Sequence, residues 1–337
     1  MVPVSKSILL ALRFLRVVTM HKLCNSTLIR LQQVFGKMPG RAGIRTMPES
    51  LSVEPASICN LCCPECTLGG GRLTRNSQLM SLDTFCNAFL PIAKWLVNCQ
   101  FYWQGEPTLN PDLCQMISIA HSHNVFTNLS TNGQTLTPEL CRNLVSSGLD
   151  QITVSVDGTT QDVYAKYRIG GSLQATIDGI GNLSEARRQH KNGNPLIEVQ
   201  FIVFAHNEHQ ISDIKRLARQ WGADRVVLKT AQVENLDNAN QILPRNPKHS
   251  RYRQGSDGKY YISKKYPVKC FRVQSTMVVS ANGEVAVCCY DKNCHYTFGN
   301  VNTENAVNIW KGQKSDSVRR QVLVGGSLTD ICRNCGE

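Results

Sequence analysis

Strand-like and helix-like segments alternate from residue 51 to about residue 230, and this alternation limits the fold more than any other feature. The strand-like segments are short and rich in Val, Ile, Phe and Tyr, and several helical segments start with Ser, Thr, Asn or Asp. This succession is typical of a parallel sheet with right-handed crossovers. Six units are too few to close an eight-stranded barrel, so we predict an α/β fold, a partial (β/α)6 barrel of the TIM-like kind. The predicted strands are 51–57, 99–104, 125–131, 151–156, 196–204 and 225–230, and the predicted helices are 81–95, 111–123, 137–147, 172–191 and 208–221.

The remaining segments divide the chain further. Its 337 residues, 42% of them hydrophobic, suffice for one barrel and one smaller domain. We predict a basic amphipathic extension over 1–50, the barrel over 51–233, a polar linker or long loop over 234–267, and a small thiol-rich domain over 268–337.

The N-terminal extension contains an apolar run that admits two interpretations. Residues 8–20 are apolar but are interrupted by Arg13 and Arg16, and the run is too short to span a bilayer. At helical spacing Lys6, Arg13 and Arg16 share one narrow arc. A helix packed on the protein's own body is the favoured interpretation, and an in-plane helix at a membrane surface is the alternative.

The 15 cysteines bunch at 59–66, 288–294 and 332–335 rather than spreading as disulfide pairs would. We therefore expect a reduced, cytoplasmic protein that uses thiolates as metal ligands. The formal charge of +12 favours anionic partners, but the chain shows no motif that reads nucleic acid, so none is expected as a partner.

The first thiol group has the spacing C-x3-C-x2-C. Cys59, Cys63 and Cys66 can hold three corners of a [4Fe–4S] cluster and leave one iron open, whereas Cys62 lies outside this register. Zinc is the alternative, although a structural zinc site normally has four N or S ligands.

Three further motifs follow the next three predicted strands. They read WQGEPTLNP from Trp103, STNG from Ser130, and SVDG from Ser155 with Arg168 downstream. Each alone is a common turn sequence. Together they stand at the carboxyl ends of successive strands, which is where barrels of this kind place their chemistry.

This ordered set resembles the radical S-adenosylmethionine (radical SAM) superfamily over residues 51–230. The resemblance implies a [4Fe–4S] cluster on Cys59, Cys63 and Cys66, with SAM chelating the open iron. It also implies reductive cleavage of SAM to a 5′-deoxyadenosyl radical that abstracts hydrogen from a substrate. Gln104 departs from the family, which often has a glycine there. The residues that match the family's SAM-contacting positions are Gly105, Glu106, Pro107, Ser130, Asn132, Ser155 and Arg168.

The tail resembles the SPASM extension of radical SAM enzymes, in its abbreviated twitch form. It has a C-x12-G-x4-C segment from Cys270 to Cys288, then GN and IW pairs, and it ends in CRNC. The resemblance implies one auxiliary [4Fe–4S] cluster, for which Cys270, Cys288, Cys332 and Cys335 form one plausible set. Cys289 and Cys294 are alternative ligands, and a zinc knuckle is the alternative site.

The resemblance leaves the substrate open. Oxidative modification of a peptide or protein is the first hypothesis, and oxidation of a small-molecule alcohol is the second. A non-enzymatic iron–sulfur or zinc scaffold would leave the three strand-end motifs without a role. A low-potential donor such as flavodoxin or ferredoxin is expected to supply electrons.

Overall fold

The computed structural model describes residues 17–35, 46–190, 193–234, 236, 239–263, 270–323, 330–332 and 335. The strands are β1 (Ser50–Val53), β2 (Asn98–Phe101), β3 (Phe126–Thr131), β4 (Gln151–Ser155), β5 (Leu196–Val203), β6 (Arg225–Thr230), β7 (Tyr252–Gln254), β8 (Tyr260–Ile262), β9 (Thr276–Val279), β10 (Glu284–Ala286) and β11 (Thr297–Asn300). The α-helices are α1 (Met20–Phe35), α2 (Leu82–Phe89), α3 (Leu113–Ser122), α4 (Pro138–Ser146), α5 (Gln161–Ala165), α6 (Leu173–His190), α7 (Ile211–Gln220), α8 (Ala239–Ile242), α9 (Phe271–Ser275), α10 (Ala306–Lys311) and α11 (Gln313–Leu323). Short 3₁₀ helices span Leu90–Trp95, Pro107–Leu109, Glu208–Gln210, Pro247–His249 and Asp330–Cys332.

Strands β1 to β6 pair in parallel and in chain order, and the predicted partial barrel is confirmed. Within the described residues the sheet runs from β11 at one end to β6 at the other, and it does not close. Since parallel strands present all their carboxyl ends on one side, the loops that follow β1 to β6 meet at one mouth.

Local sequence fixes where the helices begin. The Ser81 hydroxyl accepts a hydrogen bond from the Thr84 N–H at 3.1 Å and caps α2. Thr137 caps α4 in the same way, and Pro138 occupies the first helical position, where its missing N–H is not needed. Because the caps fix the residue at which each helix begins, they also determine which side of the helix faces the sheet.

The C-terminal strands continue the barrel sheet. Strand β9 pairs in parallel with β1, in a register that sets Ser50 opposite Thr276, and β10 and β11 follow antiparallel. The first strand of the predicted small C-terminal domain thus lies beside the strand that leads into the three-thiol loop. This arrangement places the tail cysteines next to the barrel mouth.

The segment predicted as a polar linker over 234–267 is only partly a linker. It contains α8 and the β7–β8 hairpin, and Ala239, Leu243 and Tyr252 are buried. They pack in one cluster with Leu61 of the thiol loop and Phe204 after β5. A few apolar side chains therefore anchor this segment to the barrel, although its composition is mostly polar.

The N-terminal extension is described from residue 17. Most of the apolar run at 8–20, including Arg13 and Arg16, lies outside the described residues, as does Lys6. Helix α1 packs across the amino ends of the strands, where Lys22 donates to the Asn124 carbonyl at 2.6 Å. In the described part of the chain, no helix combines the length and apolar character needed to cross a membrane.

Candidate active site

A cavity of 290 Å³ opens at the carboxyl ends of the barrel strands. All three thiols of the C-x3-C-x2-C loop line it, together with Gly105, Glu106, Ser130, Asn132, Ser155 and Arg168 from the strand-end motifs. Pro107 is buried at the start of a 3₁₀ turn and is not among the lining residues. Six of the seven side chains or backbones proposed for cofactor contact therefore share one cavity with the three thiols.

The cysteines of the thiol loop are buried to different extents. Cys63 is buried and Cys59 and Cys66 are half-buried, whereas Cys62 is exposed, and its N–H donates to the Ile169 carbonyl. Burial raises the pKa of Cys59, and it raises the pKa of Cys63 to about 11. Thiols of this kind must lose their protons to bind iron, so ligation and deprotonation occur together.

Hydrogen-bond donors surround two of these sulfurs. The Leu61 N–H lies 3.4 Å from the Cys59 sulfur, and the Asn132 amide lies 3.7 Å from it. One Arg168 nitrogen lies 3.7 Å from the Cys63 sulfur. Donors to thiolate sulfur stabilise its negative charge and raise the reduction potential of a cluster bound there.

Gly105 allows the loop after β2 to lie against the loop after β1. Its φ is +71°, and a Cβ atom built there would stand 2.1 Å from the Ala56 carbonyl oxygen. The next N–H, of Glu106, donates to the Ile58 carbonyl at 2.8 Å. Any side chain at this position would push the two loops apart, so glycine is required here.

The Glu106 carboxylate is turned away from the cavity and into the protein. It accepts hydrogen bonds from the Thr108 N–H and hydroxyl, from the Thr131 hydroxyl at 2.6 Å, and from the Asn132 N–H at 2.7 Å. Burial raises its pKa, and these donors act against that rise. Glu106 thus joins the loop after β2 to the loop after β3, a role that the motif alone did not reveal.

Asn132 is held in place by this network. Its N–H donates to Glu106, its side-chain oxygen accepts from the Gln134 N–H at 3.0 Å, and its amide nitrogen lies 2.7 Å from the Asn60 side-chain oxygen. The side chain therefore bridges the STNG turn and the thiol loop.

Arg168 is paired with a fully buried carboxylate. Its Nε donates to Asp157 at 2.6 Å, and the other Asp157 oxygen accepts from the Ile202 N–H at 2.6 Å. Burial raises the pKa of Asp157 and Arg168 opposes the rise; burial would lower the pKa of Arg168, but Asp157 and Cys63 raise it. Asp157 belongs to the SVDG motif, yet only the structure shows that it fixes the arginine beside the thiols.

Two family models match this chain. The model of the radical SAM superfamily matches residues 53–218. The chain belongs to the radical SAM superfamily. A second model, described as an iron–sulfur cluster-binding domain (SPASM), matches residues 270–336. Membership of this family implies that the barrel of this radical SAM enzyme binds a [4Fe–4S] cluster and SAM. The SPASM match implies an auxiliary iron–sulfur cluster in the C-terminal domain.

Two curated relatives match a little over half of this chain. Mycofactocin maturase MftC of Mycobacterium ulcerans is 28% identical over 176 residues, which are 52% of this chain and 46% of the relative. PqqA peptide cyclase of Gluconobacter oxydans is 32% identical over 201 residues, or 58% of this chain and 54% of the relative. The match covers about half the length of these two relatives. Among solved structures, Streptococcus suis SuiB bound to S-adenosylmethionine superposes with a TM-score of 0.61 at 12% identity, covering 81% of this chain and 68% of that chain.

The tail thiols proposed for the auxiliary cluster lie near one another. Burial is the main cause that raises the pKa of Cys270, and the neighbouring Cys335 and Cys332 raise it further. Burial also raises the pKa of Cys288, to which Cys289 and Cys270 contribute. The candidate set Cys270, Cys288, Cys332 and Cys335 is therefore close together in space, with Cys289 beside it.

The three-thiol set of the barrel fits an iron–sulfur cluster. Among the residues that the structure describes, no three His, Cys, Asp or Glu side chains converge as they would around a single metal ion. A cubane binds each thiolate through a different iron atom, so its ligands stand apart around a common volume. Three thiols around a 290 Å³ cavity match that requirement.

A second cavity, of 280 Å³, occupies the barrel interior beside the first. Tyr102, Ser130 and Gln200 line both cavities. The other residues lining the interior cavity come mostly from alternate positions of β3 to β6: Asn128, Gln151, Thr153, Glu198, Arg225, Val227 and Lys229. Alternate positions of a strand face the same side of a sheet. Polar residues at every second strand position could therefore have been recognised in the sequence as lining the barrel interior.

The interior cavity is lined by one ion pair and by one further basic side chain. Glu198 accepts from Arg225 Nε at 2.6 Å and from the Thr153 hydroxyl at 3.3 Å. Lys229 is exposed at the rim, and its side chain has no hydrogen-bond or ion-pair partner among the described residues. Burial is the main cause that raises the pKa of Tyr102 to about 12, so its phenol keeps its proton at neutral pH.

The SPASM domain contacts the barrel at the same mouth. The Trp103 indole N–H donates to the Cys289 carbonyl at 2.8 Å, and the Arg75 guanidinium stacks over the Trp103 ring at 5.1 Å. Arg75 also donates to the Lys292 carbonyl at 2.8 Å and pairs with the buried Glu54. Trp103 therefore lines the three-thiol cavity and bonds to the residue that follows Cys288.

Proposed function

We propose that this enzyme is an oxidative peptide maturase. Cys59, Cys63 and Cys66 hold the [4Fe–4S] cluster, and SAM occupies the cavity that these thiols line. Cys270, Cys288, Cys332 and Cys335 hold the auxiliary [4Fe–4S] cluster. When bound, these groups supply one-electron chemistry: removal of a hydrogen atom from a substrate C–H bond and uptake of the electron that remains.

In this proposal the protein's own residues position the bound groups and exclude water from the cavity. Gly105 lets the loop after β2 lie against the loop after β1, and Glu106 fixes the Asn132 turn beside Cys59. The Asp157 carboxylate holds the Arg168 guanidinium beside Cys63. Asp157 already neutralises the charge of Arg168. Arg168 therefore acts more by raising the reduction potential of a cluster at the thiolate site than by pairing, as a free cation, with the SAM carboxylate.

One observation carries the proposal: the three-thiol cavity adjoins the polar interior cavity, and both share Tyr102, Ser130 and Gln200. A substrate residue in the interior would meet the reactive site at these three side chains. The hydroxyl, amide and charged groups around it suit a polar residue, and the Lys229 side chain at the rim suits one that carries a carboxylate.

The peptide class is supported by relatives of this chain, among them a mycofactocin maturase and a PqqA peptide cyclase. Oxidation of a small-molecule alcohol is the competing function. We further propose a cytoplasmic setting and a low-potential flavodoxin or ferredoxin as the electron donor.

The test is anaerobic turnover of reduced holoprotein with SAM against two substrate panels, one of short acidic peptides and one of small polyols, with mass spectrometry of both. We expect a peptide that loses two hydrogens or gains an internal crosslink, and transfer of deuterium from the labelled peptide carbon into 5′-deoxyadenosine. Lys229→Gln should raise KM for that peptide and leave 5′-deoxyadenosine formation without peptide unchanged. Oxidised polyol with unchanged peptides would instead establish the competing function.

A further inference from the structure

The outward face of α1 is apolar where a helix on a protein surface is ordinarily polar. Met20, Leu23, Leu31 and Val34 fall within an arc of about 80° at 100° per residue. They are 73%, 50%, 42% and 65% exposed, respectively. An amphipathic surface helix keeps such side chains against the core and its polar side chains in water, so this helix reverses the usual pattern on its outer side.

The inner face of the same helix is already occupied. Asn25 exchanges two hydrogen bonds of 2.9 Å with the backbone of Met47, and Lys22 donates to the Asn124 carbonyl. Ile29 is buried on this side. The apolar residues outside are thus not the core-facing side of an undocked helix; they form a second, separate apolar face, here called the outer face of α1.

The charge of the N-terminal region indicates which partner this face suits. Residues 1–50 contain eight basic residues and one acidic residue. Lys22 is buried on the inner face, and without it the formal charge of this region is still +6. A second copy of the chain would bring two such regions together, and their charges would repel. An anionic lipid surface offers both an apolar layer for the outer face and negative charge for the basic residues.

The position of α1 permits such contact without blocking the active site. It lies by Ser50 and Asn98, the first residues of β1 and β2, together with Val97 and Glu49. The three thiols and the interior cavity open at the carboxyl ends of the strands. A surface bound at the outer face would therefore leave the mouth free for substrate.

We propose that α1 attaches this protein to anionic membrane surfaces through Met20, Leu23, Leu31 and Val34, with the helix lying in the plane of the headgroups. The proposal does not depend on the peptide-maturase function.

The experiment is sedimentation of full-length holoprotein with vesicles of phosphatidylcholine, with and without phosphatidylserine. We expect binding that requires phosphatidylserine and weakens with salt. The double variant Leu23→Gln, Leu31→Gln should bind at least about tenfold more weakly, since two leucines lose burial in the acyl boundary. Leu79→Gln is the matched control, because Leu79 is 39% exposed at the strands' opposite end, and its binding should equal wild type.

Three results would overturn the proposal. The first is wild-type protein that ignores phosphatidylserine, or a double variant that binds as wild type does. The second is a dimer, seen by analytical ultracentrifugation without vesicles, that the double variant dissociates; the outer face would then bind a second copy. The third is a double variant that melts well below Leu79→Gln, which would mean that the chain's own residues cover the face.

Discussion

The most informative single substitution is Glu106→Gln, because it replaces the carboxylate that joins two loops of the site and changes no shape. The carboxylate receives four donors, and two of them are backbone N–H groups, of Thr108 at 3.2 Å and of Asn132 at 2.7 Å, bound to different oxygens. A glutamine has one accepting oxygen. Whichever way its amide turns, one backbone N–H then faces an NH2 group and loses its partner.

The magnitude follows from that lost partner. A buried donor left unpaired costs about 1–3 kcal/mol. Hydroxyls of Thr108 and Thr131 can rotate and recover their bonds, so they add little. For a chain of this size the cost corresponds to a fall in melting temperature of roughly 1.5–4 °C. SAM should also bind severalfold more weakly, because the Asn132 turn beside Cys59 is released.

The assay is anaerobic thermal melting of holoprotein, with SAM affinity by equilibrium dialysis. Glu185→Gln is the matched control: it makes the same chemical change on an exposed carboxylate bonded only to side chains of its own helix, and should shift stability by less than about 0.5 kcal/mol. An unchanged melting temperature for Glu106→Gln would refute the reasoning, since it would mean that Glu106 is protonated and already donates.

Three further outcomes are expected. Asp157→Asn should destabilise the holoprotein by about 3–5 kcal/mol because it leaves the Arg168 charge buried without its partner, and the double variant with Arg168→Met should melt higher than Asp157→Asn alone; a double variant that melts lower would contradict this. Burial lowers the pKa of Lys22 from 10.5 to about 8, so the unfolded chain binds the proton between these values while the folded chain does not. Stability should therefore rise with pH from about 8 to 10.5 by roughly 2–3 kcal/mol more in wild type than in Lys22→Met, and parallel melting curves over that range would exclude the effect. Replacing Cys332 and Cys335 by Ala should leave 5′-deoxyadenosine formation in place while abolishing oxidised product; loss of SAM cleavage with the first cluster and the fold retained would show that the tail is coupled to the SAM site directly.

The parts of the fold that depend on short-range pattern could be predicted from the sequence. The six parallel strands and the alternating helices follow from periodicity and caps, and Cys59, Cys63 and Cys66 follow from spacing along one loop. These features need only neighbouring residues to be recognised.

The parts that depend on distant pairing could not be predicted. Nothing local shows that β9 joins β1 across more than 200 residues, or that Trp103 bonds to Cys289. Glu106 stood in the expected motif, but its carboxylate faces inward, because four donors from two loops surround it there. A motif thus locates a residue, whereas the direction of its side chain depends on groups brought in by the fold.

The central claim is that the thiols of Cys59, Cys63 and Cys66 form a cluster site at which SAM is cleaved. The most direct measurement is 5′-deoxyadenosine formed by anaerobically reconstituted, reduced protein with SAM, alongside its iron content. Wild type should bind about eight iron per chain, in two cubanes of four, and form 5′-deoxyadenosine. The triple Cys→Ala variant should keep about half the iron and form none. Wild-type protein that holds zinc instead of iron, or a triple variant that still cleaves SAM, would contradict the account.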